Sequence, residues 1–197
     1  MAATLVLLLA ACGDDDGTGP GSNVASVTVT AASQTIDALG ATVQLQATAL
    51  DAAGKPVAGI TFTYTSSAPG VASVDGNGLA TALSNGTASI TATAGGSSGS
   101  ISITVEQVAT NIAFATPPTN NSVDEPFDGL SVEMRDANGA VATNFTDAVT
   151  ISIGTNPQGG SLTGQFTVDA VAGVASFPNL ALDAAGAGYT LVPRRTG

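Results

Sequence analysis

The sequence predicts an all-β protein built from tandem sandwiches of antiparallel strands, and three observations carry that prediction. Between residues 71 and 105, Ala88, Ile90, Ala92 and Ala94 interleave with Thr87, Ser89, Thr91 and Thr93; after Gly95-Gly96, Ile101, Ile103 and Val105 interleave with Ser102 and Thr104. Successive strand side chains point to opposite faces, so this period of two sends an apolar row into a core and a hydroxyl row into water. Runs of the same kind recur along the chain, punctuated by Gly, Asn, Asp and Pro turns at the spacing of about 8 to 12 residues that sandwiches show. The third observation is compositional: with no Trp, no His and only 4% aromatic residues, cores must be made from Val, Ile, Leu, Ala and a few Phe. A length of 197 residues then suits two small domains.

At the N-terminus, Leu7-Leu8-Leu9-Ala10-Ala11-Cys12-Gly13 is an apolar run closing on small residues before the single cysteine, which has no partner for a disulfide within the chain. The run is shorter than the roughly 20 apolar residues needed to span a bilayer as a helix, so it reads as part of a leader over 1–11. No Lys or Arg precedes it, and a leader normally opens on a basic region, so a start upstream of Met1 is expected. Leu9 to Cys12 resembles the lipobox of bacterial lipoprotein signal peptides, which implies lipid on Cys12 and attachment to the cell envelope, at the outer membrane or cell surface. Residues 12–23 include Asp14-Asp15-Asp16 between glycines. This segment has nothing to bury and reads as a tether with a reach of at most about 35 Å. Its aspartates lack a fixed turn and further oxygens, so they make a poor calcium site. An acidic run after a lipidated cysteine also resembles an export signal for the outer face of the outer membrane.

The first domain is expected over 24–105. Val27 and Val29 alternate with Thr28 and Thr30; Val43, Leu45, Ala47 and Ala49 alternate with polar residues; Ile60, Phe62 and Tyr64 form a third inward row. Between the second and third rows, Asp51-Ala52-Ala53-Gly54-Lys55-Pro56 is a loop, with Asp bonding its own backbone and Gly supplying positive φ. Asp75-Gly76-Asn77-Gly78 is expected to be a tight hairpin turn with positive φ at both central residues.

Three stretches in order, Val71-Ala72-Ser73-Val74-Asp75, Gly78-Leu79-Ala80-Thr81-Ala82 and Gly86-Thr87-Ala88-Ser89-Ile90-Thr91-Ala92-Thr93, resemble the bacterial immunoglobulin-like domain of group 2. The resemblance spans 24–105. It implies an Ig-like sandwich used as a spacer or adhesive module in bacterial surface proteins, with no catalytic residues and no cofactor; the turn residues 75–78 and Gly86 then have structural roles.

A second Ig-like domain is expected over 107–197. Ile112 and Phe114 continue the alternation, followed by Leu130, Val132 and Met134, then Val149, Ile151 and Ile153, and a strand over 173–177. Asp136-Ala137-Asn138-Gly139 repeats the Asp51 loop at the same place after the second strand. Tyr189 resembles the tyrosine that opens the sixth Ig strand and ties its hydroxyl to upstream backbone. A seventh strand is then lacking, so this domain is expected to be C-terminally incomplete or to borrow a strand.

Catalysis has little to draw on. There is no histidine base, and the sole thiol belongs to the expected anchor. Asp124, Glu125 and Asp128 flank Pro126 in a loop with no apolar pocket to raise a pKa. The turns at 75–78 and 136–139 resemble half a calcium loop but lack the downstream bidentate Glu. Gly95-Gly96 is followed by neither Lys nor helix, unlike a phosphate loop. A net charge of −11 repels nucleic acid. These readings converge on a non-catalytic surface lipoprotein that meets another envelope or host surface protein. The alternatives are a stalk for a larger surface enzyme or adhesin and a carbohydrate-binding module, the latter short of aromatic platforms. Intact mass spectrometry of the protein from its own cells should show an acylated mature chain beginning at Cys12, and Cys12→Ser should lose the lipid mass.

Overall fold

The computed structural model describes residues 23–196; the leader, Cys12 and the tether up to residue 22 lie outside the described residues. In the N-terminal unit, β1 (Ser26–Ala31), β3 (Thr42–Leu50), β6 (Leu79–Ala82) and β5 (Ala72–Val74) make one sheet in the order β1-β3-β6-β5. The other sheet, in the order β2-β8-β7-β4, is built from β2 (Thr35–Ile36), β8 (Ser97–Val105), β7 (Gly86–Ala94) and β4 (Thr63–Ser66). With β1 and β2 as two halves of a split first strand, the first, second, fifth and fourth strands share one sheet and the third, sixth and seventh the other. That distribution defines the Ig-like sandwich.

The alternation over 87–105 becomes its longest hairpin. Antiparallel pairing runs from Gly86 opposite Val105 to Ala94 opposite Ser97, and Ala88, Ile90, Ala92, Ile103 and Val105 are essentially buried. Gly95 and Gly96, at φ 56° and 83°, provide the two-residue turn with positive φ at both positions, whose twist suits the flanking strands. Thr87 and Thr104 stand opposite each other on the outer face with their hydroxyls 3.3 Å apart. Much of the core is alanine, with Ala72, Ala80, Ala82 and Ala92 fully buried, and Leu45, Ile90 and Ile103 are its largest fully buried side chains.

Two local expectations are corrected. The third inward row is only partly a strand: β4 begins at Thr63, opposite Thr93, and Ile60 and Phe62 lie before it. They pack half-buried beside Val24, Val27 and Ala49 instead. The turn after β5 is also different, because only Gly78 has positive φ, at 79°, while Gly76 and Asn77 do not.

In the C-terminal unit, β9 (Asn111–Thr116), β10 (Ser131–Arg135) and β14 (Val174–Ser176) form one sheet in the order β14-β10-β9. β11 (Ala148–Ile153), β13 (Thr167–Asp169) and β16 (Leu191–Arg195) form another in the order β13-β11-β16, and the short β12 (Leu162–Thr163) and β15 (Ala181–Leu182) pair separately. Leu130, Val132, Ile151, Phe177 and Leu180 are its most buried side chains. Among the described residues no strand pairs across the boundary between the units, and none lies on the outer edge of β16.

Gly99 shows how closely the two sheets of the N-terminal unit approach. A Cβ there would stand 2.1 Å from the carbonyl oxygen of Val27, so β1 crosses β8 at a position only glycine can occupy. Gly99→Ala should therefore destabilise the unit by about 1–3 kcal/mol, whereas exposed Ser98→Ala should change it by less than about 0.5 kcal/mol. Urea unfolding of the two variants checks the contrast.

Candidate functional site

Three loops share one local design, in which an aspartate closes a turn that a glycine completes. Asp51 Oδ1 accepts from the backbone N–H of Ala53 (2.8 Å) and Lys55 (2.9 Å), and Asp75 Oδ1 from those of Asn77 (2.9 Å) and Leu79 (2.8 Å). Asp136 Oδ1 does the same for Asn138 and Ala140, each at 3.0 Å. Gly54, Gly78 and Gly139 follow three residues after each aspartate, at φ 77°, 79° and 84°. This type I turn followed by a left-handed glycine replaces the two-residue turn expected at 75–78, and both central positions can then keep negative φ. At Gly78 side-chain space is also absent: a Cβ would lie 2.9 Å from the Tyr64 ring.

The third loop differs from the other two in its second carboxylate oxygen. Asp136 is fully buried, and its Oδ2 accepts from the Leu39 backbone N–H at 2.9 Å and from Gln107 Nε2 at 2.8 Å. Leu39 lies between β2 and β3 of the N-terminal unit, so one carboxylate holds its own turn and a loop 97 residues away. The contact is reciprocated, since Asn138 Nδ2 donates to the Leu39 carbonyl at 2.8 Å.

Gln107 is the second member of this joint, and only 3% of it is exposed. Its Nε2 also donates to the Val141 carbonyl, its Oε1 accepts from Asn85 Nδ2 at 2.8 Å, and its backbone N–H donates to Asn85 Oδ1 at 2.7 Å. Asn144 Nδ2 donates to the Gln107 carbonyl at 2.8 Å, and Asn85 Nδ2 also reaches Thr143 Oγ1 at 3.0 Å. Each polar atom of this buried amide thus has a partner, as burial requires.

The connecting backbone is equally committed. The N–H groups of Thr104, Glu106 and Val108 donate to the carbonyls of Gln34, Ile36 and Asp37, and that of Thr110 donates to Arg135. Alternate residues are therefore anchored first to the N-terminal unit and then to the C-terminal one. The passage between units is continuous strand-like ladder.

Burial alone would raise the Asp136 pKa. Hydrogen bonds from Gln107, Leu39, Ala140 and Asn138 outweigh it and hold the carboxyl below its ordinary range.

The other candidates are dispersed. Asp75, Gly76, Asn77 and Gly78 form the β5–β6 turn, and Gly86 opens β7. Tyr189 precedes β16, but its buried hydroxyl has no hydrogen-bond partner, so the expected tie to upstream backbone is not made. Gly160 lies against that hydroxyl, and its carbonyl accepts from Asn156 Nδ2 at 2.8 Å instead. Asp124, Glu125 and Asp128 are all exposed around buried Phe127. Phe127, Phe145 and Phe177 are core residues, and Phe166 is the one aromatic side chain among the described residues that stands largely in solvent.

The Big-like family profile, described as bacterial Ig-like domain, matches residues 60–107, a segment running from the approach to β4 through Gln107. Domains 4 and 5 of the S-layer protein SbsC are 20% identical over 87% of this chain and 97% of that one, with a TM-score of 0.38. The Yersinia pseudotuberculosis adhesin InvE is 17% identical over 90% of this chain and 61% of its own, with a TM-score of 0.39. The Escherichia coli adhesin FdeC is 20% identical over 89% and 60%, with a TM-score of 0.41. No curated protein matches the chain.

Because the folded pKa of Asp136 lies below its unfolded value, the stability it contributes is fully present above the unfolded value of about 3.9 and is lost as pH falls through the folded one. Asp136→Asn would turn an amide donor or a weaker acceptor toward these N–H groups and should cost roughly 2–4 kcal/mol at neutral pH. The wild-type minus Asp136→Asn difference in urea unfolding free energy should be flat from pH 7 to 5 and shrink below about pH 4.

Proposed function

We propose that this chain is a non-catalytic cell-surface module in which two Ig-like domains, 24–105 and 107–197, act as a stiff adhesive spacer held at the envelope by lipid on Cys12. The observation that carries the reading is the buried joint at Asp136 and Gln107. A flexible tandem needs only a solvated linker between its domains. Here each N–H of alternate residues from 104 to 110 is bonded, and a buried carboxylate bridges the two units. Such an arrangement costs conformational entropy that only a fixed relative orientation would justify. A stiff tandem carries a binding surface away from the membrane at a set distance and angle, which suits contact with another envelope or host protein, or the stalk of a larger surface protein. The carbohydrate reading finds less support, since the rings that would stack on a sugar are mostly in the cores.

Spin labels on exposed positions of the two units, in a Cys12→Ser background, test the stiffness. The wild type should give one narrow inter-unit distance. The double variant Asp136→Ala/Gln107→Ala should broaden it, with the β-sheet circular dichroism of both units retained. A broad distribution in the wild type would defeat the spacer reading.

A further inference from the structure

One strand of the C-terminal unit lies in a different sheet from its counterpart. In the N-terminal unit β5 comes just before β6 in the chain and pairs with it. In the C-terminal unit β13 comes just before β14, which lies beside β10 as β6 lies beside β3, yet β13 crosses to the other sheet and pairs antiparallel with β11. It thereby becomes an edge, on the side of β11 away from β16, and among the described residues nothing pairs with its outer side.

The ladder fixes which groups this edge offers. Ile151 N–H donates to the Phe166 carbonyl and Ala170 N–H to the Asp147 carbonyl, so by the alternation of an antiparallel pair Phe166, Val168 and Ala170 turn their backbone groups to β11. Thr167 and Asp169 turn theirs outward. Toward β14 the edge stops at Val171, whose N–H and carbonyl are both bonded to Val174 across a turn in which Ala172 and Gly173 have φ 50° and 82°. Before β13, Gly164 is pressed against the Asn179 backbone, where a Cβ would overlap the carbonyl oxygen. The free stretch is short and held at both ends, which lowers the ordering cost of pairing. Two apolar side chains flank it in solvent: Phe166 is 48% exposed, and Val171, the most exposed large hydrophobic among the described residues, 76%. Asp169 forms no salt bridge among the described residues.

We propose that the outer edge of β13 pairs with the same edge of a second copy of this chain, antiparallel about a two-fold axis at Val168. The sequence Thr167-Val168-Asp169 makes a second copy the fitting occupant. Centred on Val168, the pairing sets Thr167 opposite Asp169 of the other copy and the reverse, so each outward N–H and C=O meets its complement. On the outer face it puts a hydroxyl beside a carboxylate twice and keeps the two carboxylates apart. Thr167 Oγ1 lies 2.8 Å from Thr150 Oγ1, and with Thr150 donating, Thr167 is free to donate to that carboxylate. The same register lays Phe166 across from Ala170 of the other copy and Val171 across from Gln165, covering both exposed apolar side chains. A slip of one residue would pair outward groups with ones that β11 already holds, and a slip that opposes Asp169 to Asp169 would set like charges together. The contact is small, so association in solution is weak, with a dissociation constant of about 0.1–1 mM, and it is strengthened where copies are gathered on one surface. Each chain carries a net charge of −11, so the copies repel one another and salt favours the pair.

The pairing goes beyond the spacer reading and does not need it, because distances between the units of one chain do not involve β13. Sedimentation equilibrium of the purified Cys12→Ser protein at up to about 1 mM should show a monomer–dimer equilibrium that tightens roughly threefold or more between about 0.05 and 0.5 M salt. Thr167→Pro removes an outward N–H and none of the bonds to β11, so it should abolish the dimer while the urea midpoint of the monomer stays close to that of the parent. Register is read by mixing equal amounts of Thr167→Cys and Asp169→Cys chains, in the same background, under mild oxidation. Directly opposite residues bring their Cα atoms to about 5.5 Å, within disulfide reach, whereas each of these residues lies on a longer diagonal from its own copy. Mixed disulfides should therefore outnumber the two like pairs together by roughly fivefold or more, where chance collision gives equal amounts. Mixed and like disulfides in equal amounts, or a dimer that survives Thr167→Pro, would overturn the proposal. So would a protein that stays monomeric over that concentration range, and the β13 edge would then belong to a strand from a different protein.

Discussion

One buried carboxylate holds two structures at once. Asp136 uses one oxygen to close its own turn and the other to accept from a loop of the N-terminal unit and from the connecting residue Gln107. A buried charge is costly unless its lone pairs are filled, and here all four bonds come from N–H donors. That requirement propagates outward. Gln107 can donate to Asp136 only if its own oxygen and backbone are satisfied, and Asn85, Thr143, Val141 and Asn144 meet those needs from both units. The network is high-stakes in the sense that removing one member leaves the others buried and unpaired.

The two units reach similar topologies with different materials. The N-terminal core is rich in alanine, so its sheets gain stability from close approach, visible where Gly99 meets the Val27 backbone. Phe177, Leu130 and Leu180 fill the C-terminal core, and its sheets are broken into shorter strands with β12 and β15 standing apart.

Much of this was legible in the alternation itself. The rows at 88–94 and 101–105 are strands with the buried faces their residues imply, because a half-buried strand writes its two environments directly into a period of two. Turn chemistry was legible in kind but less so in detail: the two-residue turn occurs at Gly95-Gly96, while Asp75-Gly76-Asn77-Gly78 closes through its aspartate. The joint was hidden. Asp51 and Asp136 sit in nearly the same local sequence and make the same two turn bonds, and only the fold brings Leu39 to the spare oxygen of one of them. Gln107 reads as polar linker, since nothing nearby in sequence marks an amide as buried. Tyr189 shows the reverse: it stands two residues before β16, and its buried hydroxyl finds no partner.

The parallel contact between β2 and β8 has a mechanical consequence. Thr104, Glu106 and Val108 bond to Gln34, Ile36 and Asp37 in succession along one line, and the chain enters this unit before β1 and leaves it after β8. Tension applied through the two ends slides these strands past each other lengthwise, so the bonds bear the load together instead of peeling apart one by one. The chain that leaves this clamp passes straight into Gln107, and the pull is thereby delivered to the neighbouring unit through a fastening already tightened at both sides.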